Sequence, residues 1–553
     1  MKKIISSICM AALLYSCNGD YTELNKDPNS FYTTVPSTLV TYAQKQLTDY
    51  ASTPNVNTNN LRLTMQYWQE AQYSDESQYN FTSRNVADNV FLSLYVRTLK
   101  NLDEARKLIE AYSPTPGEIS TWDVTKKNQL AIIDLMKVYT YQVAVDTFGN
   151  VPYAQSLNID VNPLPVYEDA SAIYADLIAK TKVDVANLDV NGTSFASGDK
   201  FYSGSVPKWK KFGNSLMLKL GIAIADSNAD LAKSTVQAAI SGGVFTSSTD
   251  DCLLPYVAAN PNWNPIYANV NPLASGRQDF VAGKTLVDVM NANSDPRRAS
   301  YFQQNLHYSL GQTTAVTGST ITFNLPATAP AVAPKVGDRV FKGNAAVGTI
   351  TALTANTVTL SGFVPGSVSV DDTLGFSFFY KGGTIGLASS YNTNSWAGTF
   401  AQTATTPGIV LNYTEVAFYL AEASARWGLG DAVAVAYGKA VTSSLKQWGL
   451  TDADAVAYLA SHPYDSSDWK KSIGSEAWIA MYNQPMQGWN FYRRLDYPVL
   501  AAAQGAIGEA NGKVPVRLKY PVTEQTTNPT NYAAASAAIG GDFLYTKIFW
   551  DKF

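Results

Sequence analysis

Residues 412–447, NYTEVAFYLAEASARWGLGDAVAVAYGKAVTSSLKQ, contain the pattern of two helices joined by a short turn. One face of the first helix carries small or apolar side chains, namely Tyr413, Ala417, Leu420, Ala421 and Ser424. Such a face allows a second helix to approach closely. Gly428 and Gly430 interrupt the first helix, and Asp431 is placed to cap the second. The stretch therefore predicts a helical hairpin.

Apolar periodicity predicts further helices at 36–50, 86–112, 124–147, 167–188 and 205–225. Alanine-rich helix pairs such as 412–447 resemble tetratricopeptide units. One pair is only a weak repeat signal, so the residues by themselves predict a mostly α fold. Residues 36–312 and 382–553 are assigned to the helical body.

Residues 313–381 differ from the rest of the chain. In this stretch β-branched or aromatic residues alternate with small polar ones, and Gly, Pro and Asn separate the segments. The piece TALTANTVTL (351–360) predicts a β-hairpin that turns at Ala355 and Asn356. We expect a small all-β insertion here, which could face a ligand or partner or could only decorate the surface.

The N-terminal residues have the features of a secretion signal. Lys2 and Lys3 precede an apolar run, from Ile4 to Leu14, that is too short to span a bilayer as a helix. The following Leu-Tyr-Ser-Cys sequence resembles a bacterial lipobox and predicts cleavage before Cys17 and lipidation of that residue. We therefore expect a signal peptide at 1–16 and a polar, lipid-anchored tether at 17–35. An ordinary secretory signal with a chance cysteine is the alternative.

Composition excludes several classes of function. The 553-residue chain has a formal net charge of −4 and no long basic tract, so no nucleic-acid partner is expected. It has three cysteines without a CxxC spacing and two histidines, which argues against a zinc site, and we expect no metal and no cofactor. The 33 Tyr and 11 Trp residues suit a recognition surface.

Catalytic patterns are missing. AGKT at 282–285 lacks the first glycine of a phosphate-binding loop, because Gln278 occupies that position. Neither His307 nor His462 lies in a hydrolase motif, and the adjacent acids at 75–76 and 371–372 are explained by solvated surface pairs. We therefore expect a binding protein and not an enzyme.

Several segments together resemble one family. The segments are DTFGNVPYA (146–154), QYWQEAQYSDESQYNF (66–81), EVAFYLAEASARWGL (415–429), SDPR (294–297) and the C-terminal RLKYPVTEQTTNPTNY (517–532). They are similar to motifs of the SusD/RagB family of outer-membrane nutrient-binding lipoproteins of Bacteroidota. The β insertion departs from the usual length of its region in that family.

The resemblance implies a cell-surface lipoprotein, held in the outer membrane by its lipid anchor. It also implies a body of tetratricopeptide-like helix pairs, the SusD-like α-α superhelix. It implies capture of an oligosaccharide and its delivery to a SusC-like TonB-dependent barrel transporter. A peptide- or protein-binding lipoprotein on the same scaffold is the alternative. In either case the ligand would be held without bond cleavage.

Candidate contacts are aromatic residues in loops, with polar neighbours that could bind hydroxyl groups. The early aromatic segment, where family members often place sugar contacts, supplies Trp68, Tyr73 and Tyr79. The segment NPNWNPIYANVNP (260–272) supplies Trp263 and Tyr267, and YNTNSWAGTF (391–400) supplies Trp396. Possible hydrogen-bonding partners of the ligand are Asn264 and Arg277.

Overall fold

A computed structural model describes residues 34–275, 277–303, 306–330, 332–343 and 345–553. The predicted signal peptide (1–16), the lipidation site Cys17 and nearly all of the tether (17–35) lie outside the described residues. None of the helices in the described part of the chain combines the length and the apolar character that a membrane span needs.

Helices form most of the body, and the five further stretches predicted from periodicity are helical over most of their length. The α-helices are Pro36–Ser52, Leu61–Thr64, Val86–Phe91, Lys100–Ala111, Ile119–Phe148, Ala170–Asn187, Val206–Ala223, Ala229–Gly242, Pro265–Val270, Pro272–Ser275, Lys284–Ala292, Arg298–Tyr301, Tyr413–Trp427, Val433–Gln447, Asp452–Ser461, Trp469–Ala480, Pro485–Leu495, Val522–Thr527 and Pro529–Ala538. A π-helix, Leu92–Leu99, joins the third and fourth. Short 3-10 helices are Ser248–Asp250, Tyr391–Thr393, Thr399–Gln402, Met481–Asn483 and Gly508–Ala510.

The predicted hairpin at 412–447 is confirmed as two packed helices, Tyr413–Trp427 and Val433–Gln447. Asn412 caps the first helix, because its side chain accepts the backbone N–H of Glu415 at 3.0 Å. Gly428 ends that helix with a φ of 65°, in the left-handed region that favours glycine. Asp431, in contrast, does not cap the second helix. Its carboxylate pairs with Lys439 at 2.8 Å, and Ala432 holds the cap position.

Other helices are also packed in pairs, as the tetratricopeptide-like prediction requires. Ile119–Phe148 packs against Ala170–Asn187, and Val206–Ala223 packs against Ala229–Gly242. The helix predicted at 167–188 begins only at Ala170, because Tyr167–Glu168 pairs as a short strand with Val151–Pro152 and Asp169 then caps the helix. The mostly α fold with helix pairs is confirmed.

The β insertion is a closed six-stranded barrel with a hydrophobic core of its own. Its antiparallel strands, in order around the barrel, are Ala345–Leu353, Thr357–Ser361, Thr320–Asn324, Leu306–Thr317, Thr373–Phe379 and Arg339–Lys342. The predicted turn at Ala355 and Asn356 is confirmed. The first barrel strand begins at Leu306, inside the stretch assigned to the helical body on sequence, because its first half pairs with Thr373–Phe379.

The described residues contain four two-stranded sheets, three of which hold distant segments together. They pair Trp68–Glu70 with Phe280–Ala282, Val151–Pro152 with Tyr167–Glu168, Cys252–Leu254 with Gly408–Leu411, and Phe302–Gln303 with Trp396–Ala397. The first and the last of these sheets place two of the candidate aromatic residues, Trp68 and Trp396.

The buried Asp146 carboxylate joins the two ends of the body. It lies near the end of the helix Ile119–Phe148 and accepts hydrogen bonds from Tyr174, from Asn490 at 2.8 Å, and from the indole N–H of Trp550 at 2.9 Å. Arg493 is buried beside it and donates to the Asp146 carbonyl at 2.7 Å. One side chain thus connects the N-terminal helix pair with a C-terminal helix and the last residues of the chain.

We expect Asp146→Ala to lower the free energy of unfolding by about 3–5 kcal/mol, because it leaves several buried donors unpaired and removes a counter-charge of Arg493. Urea denaturation followed by circular dichroism measures the change. Asp431→Ala is the matched control, since its exposed ion pair with Lys439 should contribute less than about 1 kcal/mol. An Asp146 variant as stable as the control would contradict the assignment.

Candidate functional site

The early aromatic segment contributes two buried rings, Trp68 and Tyr79, and one exposed ring, Tyr73. Trp68 is 1% exposed, and its indole N–H donates to the Tyr482 hydroxyl at 2.9 Å. Tyr79 is 0% exposed, and its hydroxyl accepts the backbone N–H of Ala503 at 3.0 Å. Tyr73 is 70% exposed. Only Tyr73 presents its ring freely to solvent.

The segment around Trp263 combines a half-buried aromatic pair with a structural amide. Trp263 and Tyr267 meet edge to face, with ring centroids 5.4 Å apart. Asn264 is buried and caps the helix Pro265–Val270, because its side-chain oxygen accepts the Ile266 N–H at 2.7 Å. Its amide donates to the Thr406 carbonyl at 2.7 Å. Asn264 therefore fixes the loop that carries Trp263.

Trp396 forms a stacked aromatic pair with Tyr391. Its ring stacks on Tyr391 at a centroid distance of 4.4 Å and an interplanar angle of 8°. Strand pairing with Phe302–Gln303 positions the backbone, and the Trp396 indole N–H donates to the Gln303 side chain at 3.2 Å. Both rings are half-buried. The pair is thus a fixed aromatic platform at the surface.

The platform borders a shallow depression, here called the Trp396 depression. Its lining residues are Trp68, Val270, Gln278, Asp279, Phe280, Val281, Tyr391, Trp396, Ala397 and Gln402. The enclosed volume is only about 10 Å³, roughly the space of one water-sized sphere. A ligand here would lie across the surface and would not be engulfed.

The depression brings together several of the predicted residues. Trp68 and Trp396 line it directly, and the helix that follows Trp263 reaches it through Val270. Arg277 is exposed next to its edge and forms an ion pair with Asp279 at 2.7 Å. Burial removes Tyr79 and Asn264 from the set of ligand contacts, because their polar groups are already used inside the protein. Trp68 borders the depression but is removed for the same reason, since it is equally buried and its indole N–H is bonded to Tyr482.

Tyr391, Gln278 and Gln402 are site residues that sequence reasoning missed. Tyr391 lies in the same quoted stretch as Trp396, YNTNSW, and the aromatic residue at its start was the available signal. Gln278 comes from a segment far from Trp396 in sequence, and a turn separates Gln402 from Trp396. No local sequence pattern marks either glutamine.

A buried carboxyl pair supports the early segment. Glu70 ends the strand Trp68–Glu70. Its carboxyl group accepts hydrogen bonds from the backbone N–H of Ser77 at 2.8 Å and from the Ser77 hydroxyl at 2.7 Å. Burial, together with the neighbouring Glu76 carboxylate, raises the pKa of Glu70 well above its usual range. Glu76 itself is paired with Arg84. The bonds from Ser77 to the buried Glu70 side chain therefore hold the base of the loop that carries Tyr73.

The described residues contain no group of three or more His, Cys, Asp or Glu side chains placed to hold a metal ion. The depression also offers no nucleophile with an adjacent base. What it offers chemically is ring stacking together with amide and carboxylate hydrogen bonding.

Comparison with family models gives one match, to the SusD-like family described as starch-binding and associating with the outer membrane. It covers residues 28–351 and 370–521. The chain belongs to the SusD-like family. The unmatched residues 352–369 lie within the barrel insertion. None of the curated proteins is significantly similar to the chain in sequence.

Solved structures of SusD-like proteins share the fold. A chitin-binding protein superposes with a TM-score of 0.71 at 22% identity, covering 94% of this chain and 100% of that one. A SusD homologue from Bacteroides uniformis gives 0.66 at 22% identity, covering 93% and 99%. A chitin-binding SusD homologue from Flavobacterium johnsoniae gives 0.65 at 19% identity, covering 94% and 97%.

The family resemblance predicted from the sequence motifs is thus confirmed, and so is the SusD-like helical body with a small β insertion. At the level of the family, the match supports carbohydrate binding and association with the outer membrane. The motif at 146–154 has a structural role here, because Asp146 is the buried hub and Gly149 makes the turn after the helix.

The raised pKa of Glu70 gives a pH test of the loop it supports. Folded Glu70 keeps its proton where the unfolded chain loses it, at about pH 4.3 and above, so the free energy of unfolding should fall as pH rises toward the folded pKa. In Glu70→Gln this fall should be smaller by at least about 1.4 kcal/mol between about pH 5 and about pH 8.

Urea titrations at both pH values measure the difference. Glu509→Gln, at an exposed side chain paired with Lys519, is the control and should follow the wild type. An unchanged pH dependence in Glu70→Gln would contradict the protonated state.

Proposed function

We propose that this SusD-like protein is a cell-surface lipoprotein that captures oligosaccharides and delivers them to a SusC-like TonB-dependent outer-membrane transporter. The observation that carries the proposal is the stacked Tyr391–Trp396 platform, with Gln278, Asp279 and Gln402 beside it. Family membership supports the class of ligand.

The chemistry of the depression suits a sugar ring. The apolar face of a pyranose can lie on the indole of Trp396, while its equatorial hydroxyl groups point sideways toward the amides and the carboxylate. The platform is positioned by a strand pair and a hydrogen bond to Gln303, so it loses little conformational entropy when a ligand binds. Binding of this kind needs no bond cleavage, and we expect no turnover of the ligand.

Anchoring is the second part of the proposal. Lipidation of Cys17 would hold the helical body at the membrane, with residues 17–35 as tether, because each buried acyl methylene contributes about 0.8 kcal/mol. A captured ligand would then remain at the mouth of its transporter.

We expect Trp396→Ala to weaken binding of the cognate oligosaccharide at least tenfold, or about 1.4 kcal/mol, because it removes the stacking surface. Trp263→Ala should weaken binding less, since Trp263 does not line the depression and only the helix that follows it reaches the lining, through Val270. Isothermal titration against a panel of oligosaccharides and a panel of peptides measures both.

Trp122→Ala is the matched control, because Trp122 also forms a surface aromatic pair, with Tyr112, and does not line the depression. If neither Trp396→Ala nor Trp263→Ala alters affinity, the site assignment is wrong. Binding of peptides with no response to any saccharide would favour the alternative, a peptide-binding lipoprotein on the same scaffold.

The anchor is tested separately. We expect Cys17→Ala to move the protein from the outer-membrane fraction to the soluble fraction and to abolish metabolic labelling with a fatty acid. The glycan affinity of the purified protein should not change, because the depression lies in the folded body. Continued membrane association without label would contradict the lipid anchor, and a transporter barrel that co-purifies with the wild type would support the proposed partner.

A further inference from the structure

A larger cavity lies on the other side of the segment that carries the platform. It has a volume of about 660 Å³, and its walls come from parts of the chain that are distant in sequence: 247–253, 400–414, 443–448 and Asn483. Within one 3-10 turn, Gln402 lines the Trp396 depression while Phe400 lines this cavity. The volume falls in the range in which drug-sized ligands are buried. We call it the Trp448 cleft.

One wall of the Trp448 cleft is aromatic. The ring of Trp448 packs edge to face on Phe400 at 5.2 Å and against Tyr301 at 4.5 Å. Ile409 and Tyr413 extend the apolar lining. These ring contacts hold Trp448 against the helical body.

A buried donor is left without a partner at this wall. The indole nitrogen of Trp448 has no solvent exposure and no hydrogen-bond acceptor among the described residues. Buried N–H groups are nearly always paired, so a small movement of the lining that opens this nitrogen to the cleft would let a ligand supply the missing acceptor.

An acidic side chain completes the polar lining. Asp251 accepts the backbone N–H of Tyr413 at 2.6 Å through one carboxylate oxygen. Burial and the adjacent Asp250 raise the pKa of Asp251 to about 7, so near neutral pH it can accept or donate a hydrogen bond. Lys446 at the rim is already paired with Asp452. The cleft therefore suits a neutral, hydroxyl-rich ligand better than an anion.

We propose that the Trp448 cleft is a second carbohydrate-binding site, in which a sugar ring lies on the aromatic wall, one sugar oxygen accepts from the Trp448 indole N–H, and one hydroxyl bonds to Asp251. This inference rests on the proposed function, because it assigns the same class of ligand to a different cavity.

The test uses maltohexaose and chitohexaose as probes, with binding measured by isothermal titration and by the indole N–H resonances in ¹H–¹⁵N spectra. Trp448→Phe keeps the ring packing and removes the N–H, and Asp251→Asn keeps an acceptor for Tyr413 and removes the acid. We expect each variant to weaken binding of the better probe about threefold to tenfold. In the wild type, the Trp448 resonance should shift when that saccharide is added.

Trp427→Phe is the matched control, because Trp427 ends the first helix of the same hairpin and does not line the cleft. If Trp396→Ala weakens binding while either cleft variant binds like the wild type, the Trp448 cleft is overturned and the proposed function stands. If neither saccharide binds the wild type or moves any indole resonance, the Trp448 cleft is overturned, while the panel of oligosaccharides decides the proposed function.

Discussion

The Asp146 carboxylate is the constraint on which the architecture depends. A buried charge is tolerated only where several donors converge on it, and here the donors come from parts of the chain that are hundreds of residues apart. Tyr174 belongs to the neighbouring helix of the first pair, Asn490 to a helix near the C-terminus, and Trp550 to the last residues. The carboxylate is satisfied only when these segments are assembled, so it couples local helix formation to closure of the whole body.

A second buried polar contact repeats the arrangement close by. Arg517 donates to the Phe148 carbonyl at 3.1 Å, directly after the Asp146 helix, and pairs with Asp542 at 2.6 Å. The Asp146 contacts and the Arg517–Phe148 hydrogen bond thus both attach C-terminal segments to the end of the helix Ile119–Phe148. The residues that line the candidate binding surfaces do not take part in these contacts, so they can vary in sequence without disturbing this closure.

The sequence predicted most of the helical body because its signals are local. The apolar stripe of 124–147, and the small residues and Gly428 of the hairpin, each fix a helix or its end without reference to distant residues. The alternation of residue types predicted the β insertion, but it placed the start of the insertion at residue 313, whereas the first strand begins at Leu306. Pairing with the distant strand Thr373–Phe379 decides where the first strand begins. Trp396 could be selected from its loop. The burial of Tyr79 could not be predicted, because it depends on contact with Ala503, more than 400 residues away. The N-cap of Asn264 has a local signal in the Asn-Pro that begins the helix, but its bond to Thr406 does not.

The two candidate surfaces can contribute to recognition in different ways. The Trp396 depression offers a face and almost no enclosed volume, so it would accept any sugar ring that exposes an apolar side, including one in the middle of a long chain. The Trp448 cleft can enclose a group and leaves a donor unpaired when empty, so a ligand without a matching acceptor would be penalised there. Because the two surfaces are separated by one short segment, residues 396–407, a change in that segment would alter both affinity and selectivity.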